Sequence, residues 1–205
     1  MTYLILGFIT GLSLILAIGA QNIFVIEQGL KKEFVLIVCL ICALSDFLLI
    51  FIGIFIFNYF QHFFTPLIEF ILNTLLLIFL LNFIRVKIYS EIKKINLSIK
   101  KIKYSLPAVI SKTLGFTYLN PHVYSDTVFF LGNFSKDFIL NQKILFGIGA
   151  SISSFIFFFI IGYMSKFLSN YLKTERIWKI INILIIIFMS TLAFYVLINI
   201  FYFFN

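Results

Sequence analysis

The chain has 205 residues, of which 62% are hydrophobic and only 12% are charged, and its formal net charge is +8. This composition excludes a soluble domain, and the long apolar runs predict membrane helices, because ~20 apolar residues cross the ~30 Å hydrocarbon core of a bilayer. The positive charge indicates membrane topology and anionic lipid headgroups rather than nucleic acid, since nothing in the sequence resembles a nucleic-acid-binding module.

Six apolar segments are predicted to span the membrane within a single transmembrane domain, residues 1–205. The predicted spans are, in chain order, residues 4–26, 35–57, 64–84, 105–132, 144–167 and 179–203. They form a first repeat at about 1–84 and a second at about 105–205, joined by a basic loop at 85–104. Because three spans per half leave the second half inverted, the predicted fold is an all-α integral membrane protein with an inverted 3+3 repeat.

The positive charges of the connections predict the orientation of the chain in the membrane. The first, third and fifth connections carry thirteen lysines and arginines, whereas the second and fourth carry only Lys136 and Lys143. Positively charged connections stay in the cytoplasm, so the first set is predicted to be cytoplasmic and both termini to lie on the other side.

The basic loop at 85–104 has an apolar pattern of its own. Isoleucines recur in it at steps of four and three: Ile88, Ile92, Ile95, Ile99 and Ile102. On a helix they form one apolar stripe beside a basic face, which predicts a helix lying on anionic lipid headgroups. The alternative is a solvated basic linker that only fixes the topology.

The first span of each half contains one polar interruption. These interruptions are Gly19-Ala20-Gln21-Asn22 and Asn120-Pro121-His122. Asparagine is a favoured helix cap and proline a favoured first helical residue, so Asn120-Pro121 predicts the start of a new half-helix inside the span. The N–H groups left free at that start would form a positive end suited to a carboxylate. The alternative is an ordinary proline kink.

Two acids are predicted to lie inside the membrane. Asp46 stands about eleven residues into the second span, ~17 Å along the helix axis and therefore near the bilayer centre. Asp126 follows the break in the fourth span. Because a buried carboxylate is costly, both acids are candidates to bind a cationic group or carry a proton in one shared cavity. The alternative is a structural salt bridge, for which Lys112 is a candidate partner. His122 is a candidate proton relay or an interhelical hydrogen-bonding residue.

Three short motifs stand in a fixed order across the two halves. They are Gly19, Gln21 and Asn22 followed by Gln28-Gly29, then Ala43-Leu44-Ser45-Asp46, then Leu119-Asn120-Pro121-His122 followed by Asp126. In this order they resemble the motifs of the lysine/arginine exporter family, the LysE-type translocators, and the resemblance extends over nearly the whole chain. Two departures stand out: Ala20 replaces the proline usual in the family, and Lys112 is a charge within the fourth span.

The resemblance implies a bacterial cytoplasmic-membrane exporter that moves basic amino acids outward, coupled to the proton gradient, with a six-span inverted-repeat fold. It implies a transporter rather than an enzyme, and no cofactor or metal site is predicted. With Ala20 in place of proline, the first break would depend on Gly19. If Lys112 pointed into the cavity, it would oppose a cationic substrate.

The sequence therefore predicts a substrate held between two broken helices. The amides of Gln21, Asn22 and Asn120, with the half-helix N-termini at Gly19 and Pro121, would take its carboxylate. Asp46 and Asp126 would meet its amino groups, and one of them would carry the proton. Alternatives are export of a neutral amino acid, a related metabolite or a metal cation, a non-transporting assembly or lipid-facing protein, and a simple pore.

Overall fold

The computed structural model describes residues 1–16, 19–63, 65–96, 105–171 and 175–202. Within these ranges the chain forms helices and no strand. The elements are α1 (Thr2–Ile15), α2 (Ala20–Lys31), α3 (Val35–Phe63), α4 (Pro66–Asn96), α5 (Leu106–Tyr118), α6 (Pro121–Tyr124), a π-helical turn (Ser125–Phe130), α7 (Leu131–Phe134), α8 (Leu140–Leu168) and α9 (Glu175–Tyr202).

Four of the described helices, α3, α4, α8 and α9, contain segments long and apolar enough to cross a membrane. The pair α1–α2 forms a fifth if it is counted as one bent span. The predicted fourth span, 105–132, is not one continuous α-helix. It is divided into short pieces: α5, α6, the π-helical turn and α7. The all-helical prediction is confirmed, and the span count stands at four to five.

The helix that holds the third predicted span, 64–84, continues beyond the end of that span. α4 continues from Pro66 to Asn96, so the first twelve residues of the predicted loop 85–104 are helical. Lys87 lies in this extension and is buried, although the sequence counts it among the charges of a cytoplasmic connection. Ile88 is exposed, but the rest of the isoleucine stripe lies outside the described side chains, and residues 97–104 lie outside the described part of the chain.

Close backbone contact holds α1 against α8. A side-chain carbon added at Gly7 would overlap the backbone of Phe146, and one added at Gly149 would overlap the backbone of Leu4. Small residues allow this approach, and helix association inside a membrane depends on such packing because lipid tails are as apolar as the side chains they replace.

The outer face of α8 is apolar in a regular pattern. Ile148, Ile152, Ile156 and Ile160 recur at every fourth position and are all exposed, whereas Ser151, Ser153 and Ser154 on the other faces are buried. Residues four apart share one helix face. This face therefore presents hydrocarbon to lipid, and the polar groups of α8 are directed into the protein.

The lysine-bearing helix ends lie together on one side of the molecule. The ammonium group of Lys32, just after α2, donates a hydrogen bond to the side-chain oxygen of Asn170, just after α8. Lys87 near the end of α4 contacts Glu27 near the end of α2. We refer to this side, where α2 leads into α3, as the basic end of the molecule.

Candidate functional site

The first break separates α1 from α2. The axes of the two helices differ in direction by 82°, and α2 begins at Ala20 after Gly19, whose backbone is extended. The side-chain amide of Asn22 donates a hydrogen bond across the break to the carbonyl oxygen of Ile15, at 3.1 Å. The last carbonyls of a helix have no partner within it, and inside a membrane they must find one in the protein. Asn22 thus stabilises the break.

The absence of proline at this break has a local explanation. Ala20 is the first residue of α2, a position that proline favours but does not require. The extended backbone of Gly19 is one that any residue adopts, so the break does not depend on the conformational freedom of glycine. A side-chain carbon added at Gly19 would lie 3.9 Å from the amide nitrogen of Asn120. The two breaks are therefore neighbours in space.

The second break separates α5 from α6. α5 ends at Tyr118 and α6 begins at Pro121, as the proline predicts. The hydroxyl of Tyr124 donates a hydrogen bond to the carbonyl oxygen of Tyr118 at 2.8 Å. Each break is thus bridged by a side chain of the second helix that reaches a terminal carbonyl of the first. Asp126 follows within the π-helical turn Ser125–Phe130, a distortion that is frequent at functional sites.

A cavity of about 290 Å³ lies where the two breaks meet. Its lining includes Gly19, Gln21, Asn22, Asp46, Asn120 and Asp126. Residues of α1, α4, α8 and α9 also line it, among them Leu14, Leu80, Phe158 and Tyr195. The volume is at the lower end of small-molecule pockets, which begin at roughly 300 Å³. Six of the nine residues predicted for the site therefore line one cavity.

The remaining three predicted residues are placed differently. Pro121 is buried at the start of α6 and is absent from the cavity lining, while the side chain of His122 lies outside the described part of the structure. Lys112 is half-buried with its ammonium group 5.5 Å from the centre of the Phe83 ring, and it too is absent from the cavity lining. The ammonium group of Lys112 is therefore not part of the cavity wall that contains Asp46 and Asp126.

Asp46 is held in the cavity wall by a hydroxyl group. Its side chain is 5% exposed, and the hydroxyl of Ser154 on α8 donates a hydrogen bond to its Oδ2 atom at 2.7 Å. The partner of Asp46 in this bond is therefore a neutral group. A buried carboxylate with a single neutral donor retains capacity to bind a cation or a proton.

Comparison with known proteins decides the family. The family model described as LysE type translocator matches residues 12–200. The chain belongs to the LysE-type translocator family. It is 32% identical over 196 residues to the arginine exporter protein ArgO of Salmonella enteritidis, covering 94% of this chain and 92% of the relative. The arginine exporter protein ArgO of Salmonella typhimurium is 31% identical over 196 residues, which again cover 94% of this chain and 92% of the relative. No solved structure gives a match.

As a LysE-type translocator, the protein is a transporter of the inner membrane with several spans, not an enzyme. The matched residues 12–200 include both breaks and both acids. The relatives are named for arginine export, which agrees in kind with the basic amino acids expected from the motif resemblance.

This LysE-type translocator has a second polar site that sequence reasoning missed. Glu27 is 1% exposed, and its Oε1 atom lies 2.5 Å from the ammonium group of Lys31 and 2.7 Å from that of Lys87. The spacing of Glu27 and Lys31, four residues apart on a helix, is a signal for the first pair. No local pattern indicates the second pair, which depends on how α2 and α4 pack.

Proposed function

We propose that this LysE-type translocator exports L-lysine and L-arginine from the cytoplasm by proton-coupled alternating access. The observation that carries the proposal is the single cavity lined by both helix breaks and both intramembrane acids. Broken helices that meet near the middle of the membrane are a common way to build a transport site, because they expose backbone polar groups to a substrate. The arginine exporters to which the chain is similar support the same class of substrate.

The chain is proposed to form six spans as an inverted 3+3 repeat, with both termini outside the cytoplasm. The pair α1–α2 would be the broken first span, and α5 to α7 would be the broken fourth span. The similar hydrogen bonds across the two breaks support this relation between the halves. The basic end would face the cytoplasm, and residues 85–104 would contact anionic lipid headgroups there.

The substrate carboxylate would lie at the N-terminus of α2, among the amides of Gln21, Asn22 and Asn120. Gln21 supports this role, because its amide nitrogen is buried without a hydrogen-bonded oxygen in the described part of the chain, and the Cys42 thiol beside its side chain is only a weak acceptor. Buried donors without partners are costly, and a bound carboxylate would relieve that cost. The positive end of the helix dipole favours the same group.

The amino groups of the substrate would meet Asp46 and Asp126. At least one of these carboxylates would take up a proton after the substrate leaves, so that the empty carrier returns without buried charge. His122 is proposed to relay that proton, and Pro121 to set the start of α6. Export of one cation would then be coupled to entry of protons.

Export of labelled lysine and arginine tests this assignment in cells that are fed a dipeptide. Asp46→Asn and Asp126→Asn are each expected to reduce export by at least tenfold, because each removes a charge that meets the substrate. Asp137→Asn is the matched control, since Asp137 is an exposed acid in the turn after α7. Export that survives both cavity substitutions would contradict the mechanism.

A further inference from the structure

Glycine contacts join one group of helices backbone to backbone. A side-chain carbon added at Gly29 on α2 would overlap the backbone of Gly162 on α8. One added at Gly53 on α3 would overlap the backbone of Val128 in the π-helical turn, and one added at Gly132 on α7 would overlap the carbonyl oxygen of Gly53. Together with the contact of α1 on α8, these approaches join α1, α2, α3, α7, α8 and the π-helical turn, which we refer to as the core unit. Because close-packed backbones leave little room to rearrange, the core unit is expected to move as one body.

The helices α4 and α9 form a second group, which we refer to as the α4–α9 unit. Neither helix contains a glycine, and α4 packs chiefly along α9 in the described part of the chain. Its contact with α5 is made by a side chain, because a carbon added at Gly115 on α5 would meet the ring of Phe79 on α4. Packed helices can slide against each other where side chains meet instead of backbones. The α4–α9 unit is therefore the part that can move.

The cavity lies between these two groups of helices. Asp46 lines it from the core unit, whereas Leu80 of α4 and Val196 of α9 line it from the α4–α9 unit. Transporters with broken helices commonly work by rocking one bundle against another around such a site. A movement of the α4–α9 unit against the core unit would therefore change the exits of this cavity.

A cluster of rings lies between the cavity and the basic end, and we refer to it as the ring cluster. The ring of Phe116 on α5 lies 5.2 Å from that of Phe24 on α2, centre to centre. It lies 5.2 Å from the ring of Phe83 and 4.8 Å from that of Phe79, both on α4. Phe24, Phe83 and Phe116 are buried, and α5 packs along α3 of the core unit. The ring cluster is thus a side-chain contact between the two groups of helices.

The ion pair between Glu27 and Lys87 lies beyond the ring cluster. The two side chains are 1% and 4% exposed, and the Oε1 atom of Glu27 lies 2.7 Å from the ammonium group of Lys87. Each charged residue stands about two turns after a residue that lines the cavity, Gln21 on α2 and Leu80 on α4. The same order of cavity residue, ring and charge therefore runs along both helices, and the ion pair joins α4 to the core unit.

We propose that the α4–α9 unit moves against the core unit during transport, and that the ring cluster and the Glu27–Lys87 ion pair form the gate between the cavity and the basic end. The gate is closed in this structure, since its rings touch and both charges are buried. It opens when Lys87 leaves Glu27, which keeps Lys31 as a partner. This inference rests on the proposed function, and it assigns the movement to the third helix of each proposed repeat.

Cross-linking across the ring cluster tests the gate in reconstituted protein. Phe83→Cys/Phe116→Cys places one thiol on α4 and one on α5, and a bis-methanethiosulfonate reagent joins them. The link is expected to reduce flux of labelled arginine roughly tenfold, because a gate that cannot open limits turnover. A reductant, which cleaves the link, is expected to restore the flux.

Phe134→Cys/Phe146→Cys is the matched control. These rings lie 5.5 Å apart and join α7 to α8 within the core unit, so their link is expected to leave flux unchanged. The wild-type protein treated with the same reagent accounts for the buried Cys39 and Cys42. Undiminished flux through the linked gate, an equal loss in both linked variants, or a gate pair that does not link while the control pair does would each overturn the inference.

Removing the ion pair tests the gate without a cross-link. Leu80→Cys supplies a thiol in the cavity, and its labelling by a membrane-impermeant reagent is measured in vesicles of both orientations. Adding Lys87→Met is expected to raise the labelling rate from the basic end roughly tenfold and to lower it from the opposite side, because the population shifts to the open gate. Lys166→Met, which alters an exposed lysine on α8 near the same end, is expected to change neither rate.

The outcomes of the labelling experiment separate the gate from the proposed function. A purely structural ion pair predicts that Lys87→Met changes labelling equally from both sides or from neither, which would overturn the gate. Absence of arginine and lysine flux in the wild-type protein would instead contradict the proposed function, whereas labelling that shifts from one side to the other would still support the gate.

Discussion

At the scale of single residues, two buried carboxylates differ in the groups that bind them. Asp46 and Glu27 are both almost fully buried, yet their partners differ in kind. The neutral hydroxyl of Ser154 donates a hydrogen bond to Asp46, whereas two lysines form ion pairs with Glu27. A carboxylate with a neutral partner can exchange cations or protons at lower cost than one already paired with a lysine. This difference supports the proposal that the proton-coupled step takes place in the cavity.

Removing the hydroxyl beside Asp46 is expected to weaken transport without unfolding the protein. Ser154→Ala takes away the donor that orients the carboxylate, and hydrogen bonds to charged groups contribute about 1.5–3 kcal/mol. The half-saturating concentration of arginine is expected to rise roughly tenfold in vesicle uptake.

The matched control for that substitution is Ser151→Ala on the same helix. Ser151 is also buried, but its hydroxyl donates to the carbonyl oxygen of Gly147 within α8, at 2.8 Å. It is expected to leave uptake unchanged. An equal loss in the two variants would indicate that α8 is disturbed generally and that the bond to Asp46 has no special role.

The sequence predicted the cavity acids but not the ion pair between Glu27 and Lys87, for physical reasons. Asp46 is conspicuous because apolar residues surround it along the chain. Lys87 instead stands where an apolar run gives way to charges, so the pattern gives no sign that α4 continues and buries it. The partner of Lys87 lies sixty residues away on α2, and such a pairing depends on helix packing that no local pattern encodes.

At the scale of secondary structure elements, the breaks follow from local chemistry. Proline lacks an N–H donor and restricts the residue before it, so α6 begins at Pro121. The π-helical turn at Ser125–Phe130 was not predicted, because it depends on a shift of backbone hydrogen bonds that leaves no regular residue pattern. A helix after residue 84 was one of the predicted alternatives, but its continuity with α4 was missed for the same reason as the burial of Lys87.

Helix contacts at glycine give a direct test of the packing. Gly7→Ala is expected to destabilise the protein by about 1–3 kcal/mol, because the added methyl group overlaps the backbone of Phe146 on α8. Thermal unfolding in detergent measures the change. Gly19→Ala is the comparison, since the nearest atom lies 3.9 Å away and the backbone there suits alanine.

The Gly7→Ala and Gly19→Ala proteins should therefore differ in unfolding temperature although the substitution is the same. An unfolding temperature for Gly7→Ala equal to that of the wild-type protein would show that α1 and α8 do not pack as described. A loss of stability for Gly19→Ala would show that the first break needs glycine after all.

At the scale of the whole molecule, polar groups from five helices or helix pieces converge on one cavity inside an otherwise apolar protein. The basic end lies on one side of that cavity, and the buried, mutually contacting rings of Phe24, Phe83 and Phe116 lie between them. The family membership and the similarity to arginine exporters agree with a basic amino acid as the cargo.

Counterflow in proteoliposomes tests the central claim most directly. The purified protein is reconstituted with unlabelled arginine inside, and entry of labelled arginine is followed with a panel of basic, neutral and acidic amino acids, agmatine and divalent metal ions as competitors. We expect counterflow of arginine and lysine, loss of counterflow in Asp46→Asn and Asp126→Asn, and net flux that responds to an imposed pH gradient. Flux of a neutral amino acid or a metal ion instead, or arginine counterflow that persists in both aspartate variants, would contradict the account.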